Sequence, residues 1–280
     1  MGVYLRPRDL DQALDALAAQ PLAVIAGGTD YYPARVGAAL DDDLLDITAI
    51  AGLDAISEAE GHHRIGALVT WSDLVAADLP AHFDGLRAAA RAVGGQQVQN
   101  MGTLCGNVCN ASPAADGMPN LLALEAEVEL ASRRGRRRLP IADFVTGNRA
   151  TNHAPDELMT AILVPKPRDA ARATFVKLGA RRYLVISIVM VGAVIEAGDD
   201  GRVTAARVAV GACSAVARRL PGLEAALIGR PLDGALAEAV LPSHLDVLTP
   251  IDDVRGSAAY RQDATVTVLR RALTDLGDRS

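Results

Sequence analysis

Gly102-Thr103-Leu104-Cys105-Gly106-Asn107-Val108-Cys109-Asn110-Ala111-Ser112-Pro113-Ala114-Ala115-Asp116 is the least ordinary stretch of this chain. With the residues on either side it makes residues 99–119 a run of small and amide side chains that has little to bury, which reads as one long loop. Loops of that length inside a compact domain usually carry function. Glycine lets backbone N–H groups approach an anion closely and lets the chain reach φ > 0. A second stretch has the same character, Ala26-Gly27-Gly28-Thr29-Asp30, at the end of a short apolar strand over residues 22–26. Two such loops can clamp a pyrophosphate from both sides, although either one alone reads equally as a structural turn. Neither follows the Gly-x-Gly-x-x-Gly or Walker pattern, so Rossmann and P-loop assignments fit poorly.

Asp116 closes the long stretch. An acidic side chain beside a dinucleotide accepts hydrogen bonds from sugar hydroxyls; the alternative is a cap on the helix that Pro119 opens. Cys105 and Cys109 are spaced Cys-x3-Cys, but only Cys213 remains as a further thiol and no histidines cluster. Structural zinc and iron–sulfur sites need four ligands, so no metal is expected on this chain. Lys177 with Arg181-Arg182 is either a solvated strand end or a charged face toward a cofactor. His62 and His63 read as an exposed pair at a strand start.

Outward from these loops the pattern is of mixed helix and strand. Leu10, Ala13, Leu14 and Leu17 recur at helical spacing over residues 9–20 before Pro21. Strands are expected at 44–47 and 62–68. Thr70-Trp71-Ser72-Asp73 opens a helix that runs to residue 79, and another spans 86–93. After Pro119 come a short helix, a strand over 126–131 and a solvated arginine-rich hairpin tip, 133–138. A strand over 157–164 leads to Pro165-Lys166-Pro167-Arg168-Asp169, which reads as a stiff linker. Beyond it, strands at 173–178, 187–196 and 203–212 form an antiparallel meander, followed by helices at 223–228, 234–241 and 257–276.

The chain has 280 residues, 28 basic against 34 acidic, for a net charge of −6, and 50% apolar but only 3% aromatic residues. That length favours two domains. The charge argues against nucleic acid or an anionic membrane as partner. Three cysteines fit a reducing compartment, no secretory signal is visible at the N-terminus, and the longest apolar stretch, 183–195, is too short to span a bilayer. A soluble cytoplasmic protein is expected.

Ala26-Gly27-Gly28-Thr29-Asp30, then Gly102-Thr103-Leu104-Cys105-Gly106-Asn107, then Asn110-Ala111-Ser112-Pro113-Ala114-Ala115-Asp116, in this order and spacing, resemble the FAD-binding medium subunit of the molybdenum hydroxylases, the xanthine dehydrogenase and carbon monoxide dehydrogenase family. Phe175-Val176-Lys177-Leu178-Gly179-Ala180-Arg181-Arg182 and Asp253-Val254-Arg255-Gly256-Ser257 extend the likeness over nearly the whole length. The resemblance implies an α+β fold: a PCMH-type FAD-binding domain of two α/β subdomains over 1–168, then a C-terminal domain of a three-stranded antiparallel sheet with helices over 172–278. It implies FAD contacts at Val24, Ile25, Ala26, Gly27, Gly28, Thr29, Asp30 and Tyr31, and at Thr103, Leu104, Cys105, Gly106 and Asn107. Further contacts are implied at Val93, Ala111, Ser112, Asp116, Met159 and Lys177.

It further implies an oxidoreductase subunit with no substrate chemistry of its own. Electrons would pass from [2Fe–2S] clusters of a small subunit through FAD to NAD⁺, oxygen or a quinone, while a large subunit carries the molybdenum–pterin cofactor, the three assembled as a dimer of heterotrimers. Two other functions stay open: a free-standing FAD oxidoreductase, and an assembly or structural subunit that has lost FAD. The last draws on Cys105, which stands where the family has the first glycine of a pair. Either the backbone takes a negative φ there, with the side chain turned from the phosphates, or a strained φ > 0 is tolerated.

Overall fold

The computed structural model describes residues 2–37, 39, 41–59 and 61–278. The chain first builds a small parallel sheet in which Leu44–Asp46 lies between Tyr4–Leu5 and Ala23–Ile25. The helix Leu10–Ala19 crosses between its strands, started by Asp9, whose carboxylate accepts from the Gln12 amide at 2.8 Å, and buried through Ala13, Leu14 and Leu17. A five-stranded antiparallel sheet follows, ordered Ile56–Ala59, His62–Gly66, Leu158–Pro165, Glu127–Ser132, Gly135–Pro140. Leu158–Pro165 sits at its centre with seven of its eight residues buried, which is why it reads as a continuous apolar run rather than an alternating one.

The C-terminal part is an antiparallel sheet of Ala170–Leu178, Val189–Ala197 and Val203–Gly211, with the helix Ala258–Gly277 among the elements packed on it. The expected three strands gain a fourth, Arg218–Arg219, at the edge. Residues 234–239 form a 3-10 helix rather than the expected α-helix. Two cores result: one gathers most of the buried apolar side chains before residue 165 together with Ala173, Val194 and Ala209 from one face of the C-terminal sheet, the other lies among Ile188 to Leu276 on its opposite face and the helices that cover it.

The largest correction concerns residues 99–119, which are not one loop. Gln96–Met101, Leu104–Cys109 and Gly117–Ala123 are short helices. Leu104 and Val108, four apart, share a buried face, and Ala111, Ala115 and Met118 are buried as well. Small side chains here allow close packing of backbone on backbone. The arginine run also differs from a simple solvated tip: Arg136, Arg137 and Arg138 lie on a strand, and Arg137 makes a forked pair with Glu157 at 2.7 and 2.8 Å. Arg133 reaches Asp11 and Asp15 at 2.7 and 2.6 Å, tying the hairpin to the first helix.

His62 and His63 are not a matched exposed pair. His63 is buried and packs edge-on to Phe83, whose neighbour His82 is 5% exposed with no partner for Nε2 among the described residues. Burial pushes the His82 pKa down to about 4. Since that lies below its unfolded value, the unfolded chain takes up the proton first, and the stability present above about pH 6.5 is lost as pH falls toward 4. About 3 kcal/mol is expected to disappear across that window. Urea unfolding of the wild type and of His82→Leu across this range checks it: a variant whose pH dependence matches the wild type would show that another group titrates.

Candidate functional site

The strand Ala23–Ile25 runs directly into the first glycine loop, which folds back at Gly28 (φ 65°), where the carbonyl accepts from the Tyr32 amide at 3.2 Å. Gly27 lies so close to the end of the helix Gln96–Met101 that a Cβ there would stand 1.7 Å from the Met101 carbonyl oxygen. The backbone N–H groups of Gly27, Gly28, Thr29 and Asp30 have no hydrogen-bond partner among the described residues. Gly27, Gly28 and Thr29 are half-buried and Asp30 is exposed, so these four consecutive donors stay open to whatever occupies the cavity.

The second stretch faces the first. Thr103 caps the helix Leu104–Cys109, its hydroxyl accepting from the Gly106 amide at 3.0 Å. The Leu104 amide donates to the Val69 carbonyl and the Trp71 amide to the Gly102 carbonyl, both at 3.1 Å, which anchors the helix start on the buried Trp71. Cys105 therefore sits in a helical turn and is absent from the positive-φ residues; its side chain is 3% exposed. Of the two alternatives left open at this position, the backbone takes the unstrained one. Burial raises the Cys105 thiol well above its ordinary pKa, so it stays neutral.

Between the two stretches lies a cavity of about 690 Å³, walled by all eight residues from Val24 to Tyr31, by Val93, and by Thr103, Gly106 and Asn107. A second, largely apolar cavity of about 370 Å³ adjoins it, walled by Cys105, Leu130, Phe144 and Met159 among others. Val24, Ala26, Gly106 and Cys109 belong to both walls. An elongated ligand with a charged middle and a ring system at its end has a place to lie across this pair.

Leu104, Ala111, Ser112, Asp116 and Lys177 line neither cavity. Leu104 and Ala111 are buried. Asp116 lies at the start of the helix Gly117–Ala123 but makes no side-chain cap to it. Its carboxylate instead accepts from Lys177 Nζ at 2.6 Å and from the Ser187 hydroxyl at 2.7 Å. Burial is the larger influence on this carboxyl and raises its pKa despite the lysine. The pair joins the helix Gly117–Ala123 to the C-terminal sheet. Cavity-wall residues that the sequence reading missed include Trp71, Asn110 and Arg149; the Gly147-Asn148 pair before Arg149 is a turn signal that marked the place without marking a function.

A family model described as the FAD binding domain in molybdopterin dehydrogenase matches residues 1–167, and one described as the CO dehydrogenase flavoprotein C-terminal domain matches residues 174–276. The chain belongs to the FAD-binding medium subunits of the molybdenum hydroxylases. It is 30% identical to the nicotinate dehydrogenase FAD-subunit of Eubacterium barkeri, over 99% of this chain and 96% of that one. It is also 30% identical to the nicotine 6-hydroxylase medium subunit of Paenarthrobacter nicotinovorans, over 99% and 98%. Among solved structures, reconstituted CO dehydrogenase from Oligotropha carboxidovorans superposes with a TM-score of 0.91 at 25% identity, covering 100% of this chain and 99% of that chain. Quinoline 2-oxidoreductase from Pseudomonas putida 86 gives 0.88 at 26%, covering 99% and 97%. The relatives are named as subunits of dehydrogenases, which makes this chain a medium subunit of the oxidoreductase kind.

Proposed function

We propose that this chain holds one FAD non-covalently across the two adjoining cavities and relays electrons from [2Fe–2S] clusters of a small subunit to NAD⁺, oxygen or a quinone. A large molybdenum–pterin subunit completes the complex, as a dimer of heterotrimers in the cytoplasm. The observation that carries the cofactor assignment is the row of four unpartnered amides, Gly27 to Asp30, in a wall that a Cβ at Gly27 would disrupt. Such donors match phosphate oxygens. FAD, when bound, supplies a centre that takes up and passes on electrons; the protein supplies position and electrostatics.

The two glycine stretches hold the middle of the ligand. Met159 and Cys105 wall the apolar cavity, which suits one ring system, while Val93 lies in the wall of the larger one. Leu104 and Ala111 pack behind the walls, and the Asp116–Lys177 pair, with Ser112 nearby in sequence, fixes the edge toward the C-terminal sheet. That gives the contacts implied by the resemblance a supporting part even where they line neither cavity. A division into 1–168 and 172–278 is supported by a second core built wholly from residues after 187 and by the short linker before the C-terminal sheet, one face of which packs on the first core through Ala173, Val194 and Ala209. Among the described residues no helix is long and apolar enough to cross a membrane.

The purified chain is expected to be yellow, with one FAD per chain released by acid precipitation. Colourless protein that takes up no added FAD would overturn the assignment. Co-purification with an iron–sulfur and a molybdenum subunit tests the assembly, and separates it from a free-standing flavoprotein.

A further inference from the structure

The larger cavity carries a charge that the family likeness did not assign. Arg149 stands in its wall, in the turn between the short strands Val145–Gly147 and Ala150–Thr151. Its φ of 57° lies in the left-handed region, which a residue with a Cβ adopts only where its surroundings impose it. Its amide donates at 2.9 Å to the carbonyl of Ala111, itself at φ 47°, so two such residues hold each other beside the cavity. Glycine or asparagine would suit that turn better. The arginine side chain is therefore not there for the turn.

What the side chain does is tied down at one edge. Arg149 Nη1 donates to Asp30 Oδ2 at 2.8 Å and to the side-chain oxygen of Asn110. Nε and Nη2 have no partner among the described residues. The other cation in the wall, Arg35, is spent: Nε and Nη2 meet Asp42 at 2.8 and 2.7 Å, Nη1 donates to the Tyr31 carbonyl, and the guanidinium lies over the Tyr31 ring. Arg149 is thus the wall's cation with donors to spare, held at both ends of the phosphate-facing backbone. Asp30 ends the first glycine loop, and Asn110 follows the helix Leu104–Cys109. A planar guanidinium with two open nitrogens matches two oxygens of a phosphate.

We propose that Arg149 is a ligand of the FAD pyrophosphate, tethered through Nη1 by Asp30 and Asn110 and presenting Nε and Nη2 to phosphate oxygens. This rests on the flavin assignment above. The test uses the full chain stripped of flavin, titrated at low and high salt with FAD and, separately, with riboflavin, which has no phosphate. Arg149→Asn removes the charge but tolerates the left-handed backbone; Arg149→Gly relieves the strain, so one folded variant is secured; Arg149→Lys keeps charge without the planar fork. Both uncharged variants should bind FAD about 10- to 100-fold more weakly, with a flatter salt dependence, and riboflavin as the wild type does. Arg149→Lys should recover part of the loss. Unchanged FAD affinity in a folded uncharged variant overturns the proposal, as does an equal loss for FAD and riboflavin, which would report a change of cavity shape. A wild-type chain that binds no FAD overturns the flavin assignment and this proposal together, whereas unaltered binding in the variants overturns this proposal alone.

Discussion

Gly106→Val is expected to leave the chain folded and colourless. Gly106 is exposed, and it belongs to the walls of both cavities, at the place where a ligand spanning them has to pass. A Cβ there would stand 2.9 Å from Thr103 Oγ1, the oxygen that caps the Gly106 amide, so that hydroxyl has to rotate. Losing the cap costs about 1 kcal/mol, which the better helix propensity of valine over glycine partly offsets. The two added methyl groups occupy space between the cavities, and an expected loss of about 1000-fold in flavin affinity corresponds to about 4 kcal/mol. Flavin content, an FAD titration of the stripped chain and a thermal melt together check this. Retention of full flavin by Gly106→Val would show that the ligand does not cross there.

Gly28→Val gives a contrasting result, because its φ of 65° and the Tyr32 ring atom 2.7 Å from an added Cβ make the loop itself unstable. Binding and melting temperature should then fall together. The comparison separates a blocked cavity from a distorted loop.

Long periodic elements were legible in the amino-acid sequence because many residues vote for the same period. The helix over 9–20, the three long strands after residue 170 and the final helix over 257–276 all appear within a few residues of expectation. Leu104–Cys109 and the end of Gln96–Met101 read as loop for the opposite reason, and of Gly117–Ala123 only the part after Pro119 reads as helix. Six or seven residues give fewer than two turns, and glycine at 102, 106 and 117 reads as a breaker. These segments are helical because Leu104, Val108 and Met118 are buried against the rest of the domain, a tertiary reason that local propensity does not carry.

The site divides in the same way. Its two glycine stretches were visible because a backbone that must lie close to something leaves glycine in the sequence, as Gly27 against Met101 shows. Arg149 left no such mark; it reaches Asp30 across 119 positions. Asp116 and Lys177 were both singled out as candidate ligand contacts, but their meeting 61 positions apart follows only from the packing of the first domain's helix on the second domain's sheet.

That meeting leads to the second large effect. Lys177→Met is expected to destabilise the chain by about 3–5 kcal/mol at neutral pH, because it leaves a buried carboxylate without its cation. The Lys177 side chain is 11% exposed and that of Asp116 7%, so water replaces little of what is lost. The Ser187 hydroxyl remains, and its carbonyl is held by Arg255, itself paired with Asp253, so Asp116 cannot turn away toward solvent without disturbing the C-terminal domain. Burial already raises the Asp116 pKa with Lys177 present; removing the lysine raises it further. A folded-state pKa above the unfolded one means that the native chain binds the proton first, so the variant's stability falls as pH rises through the folded pKa and recovers toward acid. Replacing both residues, Asp116→Leu with Lys177→Met, removes the stranded charge and should restore much of the stability, since buried ion pairs seldom outperform well-packed apolar groups. Denaturant unfolding of the two single variants and the double variant at mildly acidic and neutral pH gives the coupling directly. Additive losses with no pH dependence would mean that the pair does not clamp the two domains, and that Asp116 and Lys177 are held by their separate neighbours.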